Sequence, residues 1–551
     1  LAWMLSGACA GFSLLSIDGS AAEVFLRPFR AVTGLLGCRF DLVDTGFESG
    51  TRITGIFGNA NALAGMLAVG IFLALYLAHT SRTWKTQGAA CLLLAVNAMG
   101  FFLAFSMGGM GFFAVSVLVF LAAAHRGERL TYFIRMVLAA ALTILTSFAA
   151  LQGLGQEGAV TALPYAALAL DIALIWAAER FVVRPLSKAL GERARLAGIL
   201  VAVLVALVAA YAVLAFQITG AYDLAPGESL RRSAYPAAGD YTLSAAAEGQ
   251  VNVTVTAQNE ADTMMHTSTI LYEGPLSGGT FTVPEDSIVV YFNLRAQEDV
   301  RLDAVTYAGS GGTGALRLRY LLLPEHIANR LQGLFANQNA IQRLVFFADG
   351  LKLFQRSPVF GLGLGAFENG IRSVQSFDYE TKYAHNHYIQ TLAETGVVGL
   401  TLFVGLLAVS AAAVWKARRK PESHPLLPAL GGALVFVAAH AAVEVVFSFY
   451  AYLPMAFGVF ALISLCGGGA LPLPGGRGTG NGVVLTTAAL MAAFGVLLGC
   501  NMAARGKVAR QPTFSDLTEA VKLDRFEWAD YMLTYVTGAA EWYDSHPEIA
   551  S

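Results

Sequence analysis

The residues with the most chemical capacity stand together in YAHNHYIQTLAETGVVGL, Tyr383 to Leu400, where two histidines and an asparagine immediately precede a long apolar run. With Asn386 as the N-cap, His387, Gln390, Thr391 and Glu394 recur at helical spacing and share one face of the first two turns. Histidine is the side chain that exchanges protons near neutral pH, so proton transfer is the chemistry such a stripe can offer. Two readings are open: an interfacial cap with Glu394 near the lipid headgroups, or an active site at the outer membrane surface. Ionisable groups at the membrane are usually functional, which favours the second.

Arginines supply the other chemistry. The segment 18–51 carries Arg27, Arg30 and Arg39 without a lysine, and Arg52 follows it. A guanidinium binds phosphate oxygens bidentately where an ammonium makes a point contact, so arginine alone suits a phosphate or pyrophosphate site. Pairing with Asp18, Glu23, Asp41, Asp44 and Glu48 is the competing explanation. Arg52 opens TRITGIFGNANALAG, whose glycines permit close backbone approach and whose asparagines can bond freed backbone groups or a polar ligand. Arg343 falls off the apolar stripe of Ile341, Leu344, Val345, Ala348 and Leu351, and is therefore available to a site.

His440, Glu444 and Ser448 recur every four residues and are expected on one inward face of a span at 427–449. That spacing is not the zinc-protease one and no third ligand is evident, so no metal is expected. Asp171 and Glu179 bracket another span and read as a structural pair or as interfacial anchors. The GLGLG run at 361–365 lacks the strand-turn-helix context of a dinucleotide site and reads as a tight loop after Pro358.

The elements that must position these groups follow from composition. The chain has 551 residues, 56% hydrophobic and 13% charged, with a net charge of −2, far too apolar for a soluble protein. The basic residues are scattered between loops, which excludes nucleic acid as a partner. Apolar runs of spanning length near 1–17, 53–78, 89–105, 110–124, 132–152, 160–178, 196–218, 388–415, 427–449, 451–466 and 483–503 give about eleven visible spans. Arg82 and Lys85, Arg126 and Arg129, the basic residues of 180–195, and Lys416 to Lys420 fall on one side, which is cytoplasmic by the positive-inside rule. The large segments then face outward. Four of the five cysteines lie in apolar runs, so no structural disulfide is expected. The chain opens at Leu1 inside an apolar run, and further helices are expected upstream.

The expected fold is a polytopic α-helical membrane protein with an inserted extracytoplasmic all-β sandwich or jelly-roll domain. Residues 1–219 form the N-terminal transmembrane helices with their outer loop at 18–51. Residues 220–324 alternate in short segments such as QVNVTVTAQ and SIVVYFNLRA and form the β domain. Its tyrosines 235, 241, 272, 291 and 307 could stack on sugars or pack in its core. Residues 325–386 are extracytoplasmic amphipathic helices and a catalytic loop, 387–503 the C-terminal transmembrane helices, and 504–551 an extracytoplasmic helical tail with a repeat-like helix pair.

Three blocks resemble the O-antigen ligase and polymerase superfamily of bacterial membrane glycosyltransferases: RITGIFGNANALAG from Arg52, Arg343 with SPVFGLGLGAFE, and HNHYIQTLAETGVVGL from His385. The resemblance covers most of the membrane region and neither the β domain nor the tail. One departure is Met107, in FSMGGMG, where many members have arginine. It implies transfer of a glycan from a polyprenyl-diphosphate carrier to a lipid, glycan or protein acceptor at the outer face of the cytoplasmic membrane, without cofactor or metal. It further implies His385 as the base and Arg52 and Arg343 as diphosphate ligands; Asn386, His387, Glu394, His440 and Glu444 are read from their positions as supporting residues. A polymerase of lipid-linked repeat units shares these motifs, and a membrane carbohydrate transporter or receptor is the alternative from another class. No internal repeat points to a transporter.

Overall fold

The computed structural model describes residues 1–17, 52–153, 162–191, 194–323, 338–420, 422–449, 452–467, 513–524 and 528–545, with scattered positions between 482 and 508. Arg27, Arg30 and Arg39 lie outside the described residues, as do the wider 18–51 loop and most of 468–512. The helices, in chain order, are α1 (Ala2–Ile17), α2 (Ala60–Thr80), α3 (Trp84–Leu103), α4 (Met107–Ala123), α5 (Arg129–Gly153) and α6 (Ala162–Ala178). There follow α7 (Arg184–Gly191), α8 (Ala194–Gln217), α9 (Glu260–Met265), α10 (Gln338–Phe354), α11 (Ala366–Gly370) and α12 (His387–Ala417). The last are α13 (Leu427–His440), α14 (Tyr452–Gly467), α15 (Phe514–Leu523) and α16 (Trp528–Ser545). Among the described residues α2, α3, α5 and α12 are long and apolar enough to cross a membrane, and α1, α4, α13 and α14 are apolar but shorter.

The chain divides into two compact units, Leu1–Pro185 with Leu407–His440 and Val446–Ser551, and Leu186–Leu406 with Ala441–Val445. In the first, α2 is buried almost throughout, packed by α1, α3 and α13. The asparagines before and within it bond backbone and side chain as their type allows. Asn59 caps α2 through the amides of Asn61 and Ala62, and the Asn61 side chain accepts a 2.8 Å hydrogen bond from Ser106, the N-cap of α4. Asp171 and Glu179 do not pair with each other. Thr143 donates to Asp171, and Arg135 and Arg184 neutralise Glu179, because each acid needs its own partner in an apolar bundle.

The second unit contains a separate antiparallel β region. Eleven strands are described: β1 (Thr219–Gly220), β2 (Tyr222–Leu224), β3 (Ser229–Ala234), β4 (Gly239–Glu248), β5 (Val251–Gln258) and β6 (Thr269–Pro275), then β7 (Thr280–Val283), β8 (Val289–Ala296), β9 (Val300–Gly309), β10 (Gly312–Ala315) and β11 (Arg319–Tyr320). One sheet runs β10-β9-β4-β7 with β2 also on β9, and a second runs β3-β8-β5-β6. Period-two alternation sends Val253, Val255, Phe292 and Leu294 of one sheet and Leu243, Phe281, Leu302 and Val305 of the other into a single core. Tyr241 belongs to that core, stacked on Phe281 and edge-on to Tyr307, so these two tyrosines are packing residues. The short strands β1 and β11 pair with each other, which brings the entry and exit of the insertion side by side.

Candidate active site

The site is built on α10, the loop that follows it, and the start of α12. On α10 the buried face runs through Ile341, Val345, Phe346, Asp349 and Leu353, while Leu344 and Leu351, expected on the same stripe, are exposed on another side. Asp349 anchors the loop. It accepts from Lys352 at 2.8 Å, from the Ser376 amide at 2.8 Å and hydroxyl at 2.6 Å, and from Tyr379 at 2.8 Å. Burial alone would raise its carboxyl, but these four donors outweigh burial and hold it below its ordinary value. Tyr379 in turn packs on Phe346, and the Phe346 ring stacks on His385 at 6.1 Å.

The glycine-rich loop has a specific task. Gly396 is non-helical (φ 67°, ψ −166°) and breaks α12 after its first two turns. The carbonyls freed there, Ala393 and Glu394, accept from the amides of Leu362 and Gly363, and the amides of Val397 and Val398 donate to Pro358 and Val359. A Cβ on Gly361 or Gly396 would overlap the partner backbone, so glycine is required on both sides of this junction. The loop is thus docked into a helix break, which satisfies the backbone groups that the break exposes.

Asn386 caps α12 by accepting from the amides of Tyr388 and Ile389. Ahead of the cap, His385 has φ 52°, a left-handed conformation that costs a non-glycine residue roughly 1–2 kcal/mol and recurs at functional sites. Its Nδ1 lies 3.0 Å from Glu444 Oε1, and Arg343 Nη2 donates to Glu444 Oε2 at 3.1 Å. Glu444 is 1% exposed, while Arg343 and His385 keep 26% and 29% of their side-chain surface. The carboxylate therefore sits behind the guanidinium and the imidazole and fixes both. Among the described residues, His385 Nε2 has no hydrogen-bond partner, and Arg343 meets a carboxylate through one nitrogen only.

The remaining candidates take other places. Glu394 does not touch either imidazole: its Oε1 accepts from Gln390 at 2.7 Å and from the Gly365 amide at 3.2 Å. Gln390 accepts from the Ala384 amide, so this chain of bonds holds the backbone just before His385. His387 lies edge-on to Phe403 at 5.1 Å. The expected continuous span at 427–449 is corrected. Helix α13 stops at His440, 441–445 leave for the second unit, and His440 and Glu444 do not share a helix face. The reason is local: the Ala441 carbonyl accepts from the His387 amide at 2.8 Å, and Glu444 is satisfied by Arg343 and His385, which a straight helix would not permit. His440 stays in the first unit, stacked on Phe436, and Arg52 is in that unit as well. Among the described residues no group of three His, Cys, Asp or Glu is placed to hold a metal ion.

Residues 321–404 match the family model described as O-Antigen ligase. The match supports membership of the O-antigen ligase family over this segment. No curated protein and no solved structure matches it. The family is membrane-integral, in keeping with the apolar helices. The O-antigen ligase segment begins at the exit of the β region and contains Arg343, the docked glycine loop, His385 and Gly396, whereas Glu444 lies beyond it. Two contributors escape sequence reasoning. Phe346 carries no signal beyond apolarity, and Met264 of α9 joins Phe346, Leu353, Phe367 and Ala384 in one core, fastening the β region to the site.

Proposed function

We propose that this chain transfers a glycan from a polyprenyl-diphosphate carrier to an acceptor hydroxyl at the outer face of the cytoplasmic membrane. The observation that carries the proposal is the half-open cluster of His385 and Arg343, both inside the segment that matches the O-antigen ligase model, with Glu444 reaching them from beyond it. A carboxylate on Nδ1 fixes the imidazole tautomer with the proton on that nitrogen, which leaves Nε2 to accept the proton of the attacking hydroxyl. Removing that proton creates the nucleophile as the bond from the sugar to the diphosphate breaks. The diphosphate leaves with its charge and needs cations held ready for it. Arg343, partly exposed and oriented by Glu444, serves that role, and Arg52 is the second candidate from the sequence. Glu394, Gln390 and Asn386 set the backbone on either side of His385. The inserted β-sandwich belongs, on this reading, to the outer side with the site.

A polymerase that joins lipid-linked repeat units would use the same groups. The test is transfer by the purified full chain from a lipid-linked glycan donor. Single transfer to a supplied acceptor defines a ligase, and chain growth without a second acceptor defines a polymerase. Donor left intact under both conditions would overturn the proposal.

A further inference from the structure

The sheet β3-β8-β5-β6 turns one face to the core and the other outward. Its register aligns Arg231, Asn293, Thr254 and Glu273 in one outward row and Ser229, Arg295, Asn252 and Pro275 in the next. A cleft of about 600 Å³ opens over these rows, with Gly227 and Gln297 at its rim. That volume lies within the range of small-ligand sites. Among the described residues, the side chains of Asn252, Thr254, Glu273, Asn293, Arg295 and Gln297 make no hydrogen bond or ion pair with the protein. Elsewhere on the β region Arg301 pairs with Asp303 and Asp223, and Glu228 accepts from Tyr222. On the other sheet the outward positions Thr242, Ser244 and Ala246 of β4 are small.

The cleft's chemistry is specific. Three planar amides each offer donors and an acceptor, a hydroxyl offers both, a guanidinium donates and a carboxylate accepts. Vicinal hydroxyls present the same alternation of donor and acceptor. Among the lining residues Arg295 and Glu273 offset each other, which does not favour a polyanion or a diphosphate, and the polar floor does not suit a lipid tail. Arg231 lies 4.0 Å over the Tyr291 ring, a flat surface beside the amides. The cleft is also mechanically tied to the site: β5, which carries Asn252 and Thr254, runs through the Asn259 cap into α9, and Met264 of α9 packs in the core that supports Phe346 and His385.

We propose that this cleft binds an oligosaccharide stretch of the substrate glycan, apart from the His385 cluster. Its part in transfer rests on the function proposed above, whereas binding itself does not. Saturation-transfer NMR on the purified full chain in nanodiscs tests it with two probes: oligosaccharides freed by mild acid from the polyprenyl-diphosphate carriers of the source cells, and oligosaccharides freed from their finished surface polysaccharide. The wild type should saturate at least one pool, and the responding pool identifies donor or acceptor as the source. Asn252→Ala with Asn293→Ala and Arg295→Ala should weaken that signal about tenfold or more, the loss expected for three hydrogen-bonding groups. Thr254→Trp, which fills the cleft from the solvent side, should do the same, while His385→Ala should leave binding intact. No signal from either pool, or equal signals from wild type and both cleft variants, would overturn the proposal. Donor left intact by the wild type would instead overturn the function proposed above and leave the binding result standing.

Discussion

Two clusters in this chain are made of the same residue types, arginine, glutamate and histidine, and one is closed where the other is half open. In the first unit Arg135 meets Glu179 bidentately, 2.8 Å on each arm, with 4% and 2% of the two side chains exposed. Arg184 adds a third contact to Glu179 at 3.3 Å and bonds the Ser81 carbonyl, and His79 sits 3.4 Å from both Arg135 and Glu128. In the second unit Glu444 is equally buried, yet Arg343 and His385 each touch it through a single nitrogen and face outward with the rest. A closed cluster answers its own charges and has nothing left for a ligand. The open one keeps its carboxylate hidden, and the groups it orients are the ones a substrate can reach.

That contrast predicts opposite consequences of mutation. Arg135→Ala leaves Glu179 buried without its main partner and should destabilise the fold by about 3–5 kcal/mol, read as loss of monodisperse protein and a lowered Tm. Normal stability in that variant would mean the closed cluster is not structural. His385→Ala should leave folding unchanged and reduce transfer by about 10²–10⁴-fold, the usual contribution of a general base. Arg343→Ala should cost about 10²-fold in use of the diphosphate donor, with Arg343→Lys restoring only part, because an ammonium cannot reproduce planar bidentate contact. Full rescue by lysine would reduce Arg343 to a point charge.

The smallest effect concerns pH. The folded Asp349 carboxyl lies below its ordinary value, so the stability it contributes is complete above the unfolded value and is lost as pH falls through the lowered folded one. Hydrogen exchange at residues 376–379 should therefore rise only at the acid end of that window. In Asp349→Asn it should already be raised at neutral pH.

Much of the site is legible in local sequence. The N-cap at Asn386, the polar stripe after it and the glycines at 361, 363 and 365 declare themselves through spacing and residue type. What spacing could not show is non-local. Glu444 reaches Arg343 across 101 positions and His385 across 59, and a period of four suggested a helix face where the chain leaves the helix after His440. The break at Gly396 was hidden inside an apolar run that reads as one continuous span, because the loop that satisfies its carbonyls precedes it by about thirty residues. The alternation of 220–324 gave the strands, but the outward rows that make the cleft depend on register across β3, β8, β5 and β6.

If Glu444 acts through His385, a double-mutant cycle on the transfer rate will reveal the coupling. Glu444→Gln alone should cost about 10–100-fold, as loss of a carboxylate that orients an imidazole does. In a His385→Ala background the same change should cost about tenfold less, because only its hold on Arg343 remains. An equal cost in both backgrounds would show that Glu444 and His385 work independently and would contradict the account.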